Sequence, residues 1–345
     1  MRPQTFRTRI TDLFGIRHPI LCGGLIWLAD ARYVAAVVNA GAMGFITALS
    51  FPDDPEEFRR EIRRCRELTG GKPFGVNIAF SIRPGANDRL ASYVRIIAEE
   101  KVRFVETSGG NPGQFVAALK EAGCTIIHKA PAVRYALSAV KMGVDAITVI
   151  AGEAGGHPGT YMISSMIQGV LAAEAIDCPL AIGGGMGTGQ HLVTALAMGA
   201  DAMLIGSRML VANEIWAHSA YKDRILLANE FDNRVVMKIF RDNHRVLDNE
   251  TAKAVEALEA KGITDFNAYR KFISGLLTRK AYKTGDWSTG LIDLGPASVF
   301  ARKLQSVEEI IDQLIDEAGL ALERIQRLSG YEHRAPELIA AKAPD

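Results

Sequence analysis

The 345-residue sequence lacks the features that mark small secreted domains and nucleic-acid-binding proteins. It has four cysteines, and none stands in a CxxC or Cys/His spacing, so neither a disulfide framework nor a structural zinc site is predicted. Its 40 Lys and Arg balance 39 Asp and Glu without a basic block, whereas binding to nucleic acid needs clustered positive charge. We therefore expect no nucleic-acid partner and a reducing, cytoplasmic compartment.

Long membrane-type hydrophobic runs are also missing. The first 15 residues carry three arginines and no apolar core after them, so they do not read as a signal peptide. Two long uncharged stretches occur at 33–52 and 178–200. The first is interrupted by asparagine and glycine, and the second by several glycines. They are better explained as neighbouring helix and strand pieces of a buried core than as membrane spans. No membrane segment is predicted.

What the sequence does contain is a regular alternation of short apolar runs and helical patterns. The eight runs are Pro19–Gly24, Met43–Ala48, Phe74–Ala79, Phe104–Gly109, Thr125–Ala130, Ala146–Ala151, Pro179–Gly185 and Ala202–Ser207. Continuous apolar runs are typical of parallel strands that are covered on both faces. Eight β/α units predict an α/β fold of the TIM (β/α)8 barrel type. The alternative, a doubly wound sheet, usually has fewer units and a nucleotide fingerprint after its first strand.

Composition changes after the eighth run. Only 12 of the 108 residues in 104–211 are charged, against 24 of the 74 residues in 213–286. The second stretch has helical periodicity and little strand character, which predicts a small helical domain. This domain is inserted before the helix that closes the barrel, which is predicted at Val307–Leu328. The predicted division is a barrel over 1–212 and 287–345 and a helical substrate or lid domain over 213–286.

Two glycine-rich loops follow the predicted seventh and eighth strands, at Gly183–Gly189 and Gly206–Arg208. Such loops let backbone N–H groups approach a phosphate, and this pair of loops is a frequent phosphate site in barrels. The alternative is that the glycines only permit tight turns. The dinucleotide fingerprint is not completed, because its sixth position is Thr188 when counted from Gly183 and Gln190 when counted from Gly185, instead of glycine. FMN is therefore favoured over NAD as the tightly held cofactor.

Two side chains stand out as candidates for chemistry. His157 lies in the loop GEAGGHPG (152–159), where neighbouring glycines let a single imidazole approach a ligand, and histidine exchanges protons near neutral pH. A structural hydrogen bond is the alternative. Lys129 ends an apolar strand, where an ammonium is costly unless it meets an anion, such as a reduced flavin. The alternative is a solvent-exposed strand end. No HxH or HExxH pattern occurs, so no metal is predicted.

Several motifs in order resemble the nitronate monooxygenase (2-nitropropane dioxygenase) family of FMN-dependent TIM barrels. They are HPILCGG (18–24), FGVNIA (74–79), HKAPAVRYAL (128–137), GEAGGHPG (152–159), AIGGGMGTG (181–189) and GADAMLIGSRML (199–210). The resemblance extends from about residue 7 to past residue 288. It implies the barrel fold and a flavin that is bound without covalent attachment.

The resemblance also implies roles for individual residues. The phosphate would be held by Gly184, Gly185, Gly206 and Ser207. The isoalloxazine would be lined or touched by Gly23, Gly24, Leu25, Asn77, Lys129, Gly155 and Gly156. His157 matches the active-site histidine of the family. The sequence departs from the family pattern at Cys22, Leu25 and Ile150, so the tuning of the flavin and the substrate wall are expected to differ.

The function implied first is an FMN-dependent nitronate monooxygenase. It would use O2 to convert an alkyl nitronate or nitroalkane into a carbonyl compound and nitrite, through a flavin semiquinone. The alternative is an NAD(P)H-dependent reductase of quinones or enoyl thioesters, because fold and family leave the chemistry open. A third possibility from another class is a non-catalytic FMN sensor. A homodimer is possible.

Overall fold

Eight parallel strands pair in chain order, and the eighth returns to the first, so the sheet closes into a barrel. The computed structural model describes residues 5–52, 54–81, 87 and 89–330. The barrel strands are β1 (Ile20–Cys22), β2 (Met43–Thr47), β3 (Gly75–Phe80), β4 (Phe104–Gly109), β5 (Thr125–Ala130), β6 (Ala146–Ile150), β7 (Leu180–Gly183) and β8 (Ala202–Ile205). The predicted TIM barrel is confirmed, and each of the eight apolar runs contains or overlaps one strand.

Helices precede and separate the strands. They are α1 (Arg9–Phe14), α2 (Ala31–Asn39), α3 (Pro55–Leu68), α4 (Leu90–Glu99), α5 (Gly113–Glu121), α6 (Val133–Lys141), α7 (Ser165–Ala175) and α8 (Gly189–Ala197). In α3, the Asp54 carboxylate accepts the N–H of Glu56 and Pro55 occupies the first turn, both of which favour a helix start. None of the helices within the described ranges is long and apolar enough to cross a membrane.

The barrel interior is apolar at the end where the strands begin. Side chains alternate between the two faces of a strand, so Leu21, Phe45, Phe104 and Ile127 meet inside the barrel in one buried cluster. Phe14 of α1 closes this end, with its ring 4.9 Å from that of Phe104. The opposite end, where the strands finish, is therefore left for polar side chains.

The segment between β8 and the last helix carries the elements α9 (Ser219–Leu226), β9 (Asn233–Val236), β10 (His244–Leu247), α10 (Glu250–Ala260), α11 (Arg270–Ile273) and α12 (Gly275–Thr284). Strands β9 and β10 form an antiparallel hairpin, which corrects the prediction of little strand character. Each strand has four residues, too few to show an alternating pattern. Val236, Val246, Val255 and Tyr269 give this segment an apolar cluster of its own.

The last described helix, α13 (Val307–Ser329), agrees closely with the predicted closing helix and packs against α8 and α2. Ser306 begins it with a capping box in which its hydroxyl accepts the N–H of Glu309. The domain boundaries at 212/213 and 286/287 stay a prediction. Their outer limits, residues 1–4 and 331–345, lie outside the described residues.

Candidate active site

A buried ion pair occupies the mouth of the barrel. Lys129 Nζ lies 3.0 Å from Glu106 Oε2, and the Glu106 side chain has no exposed surface, whereas that of Lys129 is 15% exposed. Both residues follow apolar interior residues by two positions, Phe104 in β4 and Ile127 in β5, so alternation points them into the barrel. We call Glu106 and Lys129 the wall pair. The anion expected for Lys129 is thus already present in the protein.

Other donors converge on the same carboxylate oxygen. Asn77 Nδ2 donates to Glu106 Oε2 over 2.6 Å, and the N–H of Gly24 donates to it over 3.1 Å. The second oxygen, Oε1, is buried and has no hydrogen-bond partner. A buried acceptor without a donor is costly, so this atom is suited to a bound group that carries an N–H or O–H.

Glycine is required where β1 ends. A Cβ on Gly24 would lie 2.6 Å from Asn77 Cβ and Cγ, and one on Gly23 would lie 3.3 Å from both Glu106 Oε1 and Lys129 Nζ. The backbone at Gly23 and Gly24 therefore approaches the wall pair closely. The structure brings these predicted cofactor residues together with Asn77 and Lys129.

The residue before Lys129 points to the other face of the barrel wall, as alternation predicts. His128 Nδ1 lies 2.9 Å from Thr107 Oγ1 in a buried contact. Burial, together with the charge of Lys129, lowers the pKa of His128 to about 4. His128 is therefore a neutral residue of the wall and takes no part in the site.

His157 lies at the rim of the mouth, in the loop between β6 and α7, with its side chain 56% exposed. Its ring stacks on that of His244, with centroids 4.2 Å apart and planes 19° apart. Its Nε2 is 3.8 Å from Asp242 Oδ1. His244 begins β10, so the inserted segment supplies a second imidazole directly beside the one predicted to be catalytic.

His244 is held by a carboxylate from a third segment. Its Nε2 lies 2.6 Å from Asp293 Oδ1. Burial pushes the pKa of Asp293 up, but the charge and hydrogen bond of His244, with the charges of His157 and Lys129, outweigh it and leave that pKa below its usual value. Asp293 therefore bonds to His244 and also feels the charges of His157 and Lys129.

Backbone contacts fix this arrangement. Gly156 and Arg245 exchange two hydrogen bonds, N–H to carbonyl in each direction, of 2.9 and 2.7 Å. A Cβ on Gly156 would lie 3.3 Å from Asp293 Oδ2, and one on Gly155 would lie 2.7 Å from the nitrogen of Gly295. The two glycines predicted to touch flavin thus also let the hairpin and the 293–295 segment approach the loop.

The predicted phosphate loops lie side by side after β7 and β8. Gly184 and Gly185 have φ values of +105° and +72°, in the left-handed region that favours glycine. A Cβ on Gly206 would meet only Leu25 Cδ2, at 3.9 Å, so open space lies beside this residue. Ser207 Oγ accepts the N–H of Gly295 over 2.9 Å. All four predicted phosphate residues are therefore at the mouth, and the space beside Gly206 suits a ligand.

A chain of four polar side chains, two of them on α13, links the two loops. Arg208 Nη2 donates to Gln305 Oε1 over 2.8 Å, and Gln305 Nε2 donates to Gln313 Oε1 over 3.1 Å. Gln313 Nε2 donates to Glu317 Oε1 over 2.7 Å, and Glu317 Oε2 accepts the N–H of Gly189 over 2.8 Å. This chain positions the start of α8 relative to the loop after β8.

The three departures from the family pattern have different surroundings. Leu25 is half-buried beside Gly206, and Ile150 contacts the interior cluster near Gly183. Cys22 is fully buried, and burial raises the pKa of its thiol to about 12, so it is no nucleophile.

Across the described ranges, no group of three or more His, Cys, Asp and Glu residues could hold a metal ion.

Sequence reasoning missed three residues of this site. Glu106 could have been found, because an acidic residue in an apolar strand two positions after an interior Phe must point inward. His244 and Asp293 carried no such signal, because they lie outside the β/α units and come together only when the hairpin packs on the loop.

The chain belongs to the nitronate monooxygenase family, whose model matches residues 7–317. The family and its structural neighbours are flavin-dependent oxidoreductases, and the protein is an enzyme of this type that acts on small molecules.

The names of similar proteins indicate different activities. A Mycobacterium tuberculosis protein named "(3aS,4S,5R,7aS)-5-hydroxy-7a-methyl-1-oxo-octahydro-1H-indene-4-carboxyl-CoA dehydrogenase" is 34% identical over 73% of this chain and 69% of its own length. A "probable nitronate monooxygenase" of Staphylococcus saprophyticus is 28% identical over 70% of this chain and 79% of its own length. The solved structure of FabK from Thermotoga maritima has a TM-score of 0.85 and 30% identity, and covers 95% of this chain and 100% of that one.

Proposed function

We propose that the cofactor is FMN, held without a covalent bond at the barrel mouth. Its phosphate would bind the loops that contain Gly184, Gly185, Gly206 and Ser207, where open space is available beside Gly206. Its ring system would lie near the wall pair, where Glu106 Oε1 is a buried acceptor without a donor. When bound, FMN supplies the transfer of hydride or of single electrons, and the protein supplies orientation and charge.

The phosphate assignment is tested by Gly206→Ala. The new methyl group meets no protein atom closer than 3.9 Å, so it clashes with nothing in the protein, but it occupies the space assigned to the ligand. We expect FMN affinity to fall at least about tenfold, the equivalent of 1.4 kcal/mol, in a titration of the apoprotein. Gly275→Ala, whose methyl group would lie at an ordinary 3.6 Å from Trp27, is the control. Unchanged FMN affinity in Gly206→Ala would remove Gly206 from the phosphate site.

We infer that the substrate is a neutral carbon acid, and that an acyl or enoyl thioester of coenzyme A is the leading candidate. This inference rests on the two carboxylates near His157. Asp242 is 3.8 Å from its Nε2, and Asp293 is hydrogen-bonded to the stacked His244. Such surroundings suit an imidazole that exchanges a proton at the carbon next to a carbonyl, and they disfavour a substrate whose reacting group is already an anion, such as a nitronate.

The comparisons support the thioester as the first candidate. The relative named as a CoA dehydrogenase is 34% identical, against 28% for the probable nitronate monooxygenase. In this function His157 accepts the α-proton of a saturated thioester, or returns one when an enoyl thioester is reduced with NAD(P)H as the reductant. Lys129 would offset negative charge that develops on the cofactor.

Oxidation of alkyl nitronates with O2 to a carbonyl compound and nitrite is the second candidate. It is favoured by the family model and by relatives named as probable nitronate monooxygenases. His157 would then take the α-proton from a neutral nitroalkane, a step that a preformed nitronate does not need.

The homodimer also stays a prediction.

One anaerobic experiment separates the candidates. The purified holoprotein is mixed with a saturated acyl-CoA, with NAD(P)H, or with an alkyl nitronate, and the visible absorbance of the flavin is followed. Bleaching by acyl-CoA, or bleaching by NAD(P)H that enoyl-CoA reverses, is the expected result. The thioester proposal would be overturned if the flavin absorbance did not change with any thioester or with NAD(P)H. Formation of nitrite when the nitronate mixture is then exposed to air would favour the second candidate.

The role of His157 is tested by His157→Asn. Loss of the proton acceptor should leave FMN bound and reduce turnover of a neutral thioester or nitroalkane by about 10²–10⁴. A preformed nitronate, which needs no base, should lose far less. Equal losses for nitroalkane and nitronate would show that His157 binds substrate and does not move a proton.

A further inference from the structure

His244 has no part in the function proposed above, yet it touches the residue on which that function depends. The rings of His157 and His244 stack at 4.2 Å, and His244 Nε2 is 2.6 Å from Asp293 Oδ1. Two imidazolium charges at this distance repel each other strongly, so the stacked pair holds one proton much more readily than two.

Main-chain hydrogen bonds make the arrangement rigid. Residue 245, next to His244, exchanges two backbone hydrogen bonds with Gly156, next to His157. Val246 and Asp293 form a second antiparallel bridge. The three segments that supply the two imidazoles and the carboxylate are thus joined through their backbones, and the stack does not depend on flexible side chains alone.

The charged groups around the pair decide where the proton resides. Asp293 makes a short hydrogen bond to His244, whereas Asp242 lies 3.8 Å from His157, beyond hydrogen-bond distance. Lys129 acts on Asp293 and helps to keep it ionised, because its charge contributes to the lowered pKa of that carboxyl. A charge-assisted hydrogen bond favours the charged donor, so the proton is more stable on His244.

We propose that His244 is a positioning residue that, with Asp293, retains the single proton of the stacked pair and so keeps His157 unprotonated as the acceptor at neutral pH. The proposal rests on the proposed role of His157 in proton transfer. It deepens that role, because it explains how an exposed imidazole close to a carboxylate remains a base.

The test follows the titration of His157 itself. In the FMN-loaded protein with isotopically labelled histidine, the His157 signals are identified by their loss in His157→Asn, and the pKa of His157 is measured by NMR in wild type and variants. His244→Phe keeps a ring on which His157 can stack and removes the charge, so the pKa of His157 should rise by about one unit or more. His244→Gln keeps a donor for Asp293 without the charge, and it should give the same direction of change if His244→Phe fails to fold.

Asp293→Asn supplies the second arm. Without the carboxylate, the charged form of His244 loses its hydrogen-bond partner, so adding His244→Gln to Asp293→Asn should change the pKa of His157 less than it does in the wild-type background. An unchanged His157 titration in both His244 variants would overturn the proposal, as would an effect of His244→Gln that is equally large in the Asp293→Asn background.

The pH profile of turnover distinguishes this inference from the proposed function. If both are right, the acid limb of the profile moves upward with the pKa of His157 in His244→Gln. If the pKa of His157 rises but the profile does not move, the proton arrangement is right and His157 is not the catalytic acceptor. If neither moves, His244 has only a structural role and the proposal fails.

Discussion

Two acid–base pairs meet at the mouth of this barrel, and they are built in different ways. The wall pair, Glu106 and Lys129, comes from adjacent strands, and its carboxylate is fully buried. The pair of His244 and Asp293 comes from an inserted hairpin and a later segment, and its side chains are 13% and 38% exposed. The first is a property of the barrel, and the second requires the insertion to pack on the β6–α7 loop. The stability of the fold should therefore depend on the first pair and the proton chemistry on the second.

The largest effect expected from this comparison is that of Lys129→Met. It leaves the Glu106 charge buried without its cation, which should lower the free energy of unfolding by about 3–5 kcal/mol. Chemical denaturation of the purified protein measures the change. The double variant Lys129→Met/Glu106→Gln removes both charges and should recover most of the loss. If the double variant is as unstable as the single one, the wall pair contributes by packing and not by charge.

The next effect is a pH dependence located in the barrel wall. The pKa of His128 is about 4 in the folded protein, against an ordinary 6.5, so the unfolded chain takes up the proton first as the pH falls. The stability contributed by neutral His128 is present above pH 6.5 and is lost between pH 6.5 and about 4, by up to about 3 kcal/mol.

Urea denaturation of wild type and His128→Gln across this range measures the effect. The difference in unfolding free energy between the two proteins should change with pH only while His128 titrates. A constant difference from pH 7 to pH 4 would show that His128 does not take up its proton on unfolding.

A smaller effect is expected where the main chain approaches the wall pair. Gly24→Ala places a Cβ 2.6 Å from Asn77, which must move and weaken its hydrogen bond to Glu106, at a cost of about 1–3 kcal/mol. Gly275→Ala, whose methyl group would meet nothing closer than 3.6 Å, is the matched control for stability. Equal melting temperatures for the two variants would mean that β1 can shift freely at this point.

The smallest change in stability is expected for Asp293→Asn. Because the pair with His244 is partly exposed, its loss should cost at most about 1 kcal/mol. Denaturation under the conditions used for Lys129→Met gives the direct comparison. A loss as large as that of Lys129→Met would show that the hairpin contributes to the stability of the barrel itself.

Much of the fold could be predicted because its signals are local. Each apolar run marks a strand whose two faces are covered. Helix α3 likewise has local start signals, because its cap Asp54 directly precedes Pro55 and its amphipathic spacing lies within Pro55–Leu68. The opposite directions of His128 and Lys129 follow from alternation alone. The hairpin β9–β10 was missed because four-residue strands carry almost no periodic signal.

The sequence by itself determined the barrel, the position of its glycine-rich loops, and the placement of Lys129 at a strand end and of His157 in the loop after β6. These depend on chain-local periodicity and on the rule that parallel strands finish at one edge. Only the tertiary structure decided that Glu106 is the partner of Lys129 and that His244 and Asp293 stand beside His157. Residues 157, 244 and 293 are separated by 87 and 49 positions. No local pattern relates them, and they meet because backbone hydrogen bonds join three distant segments at the rim of the barrel.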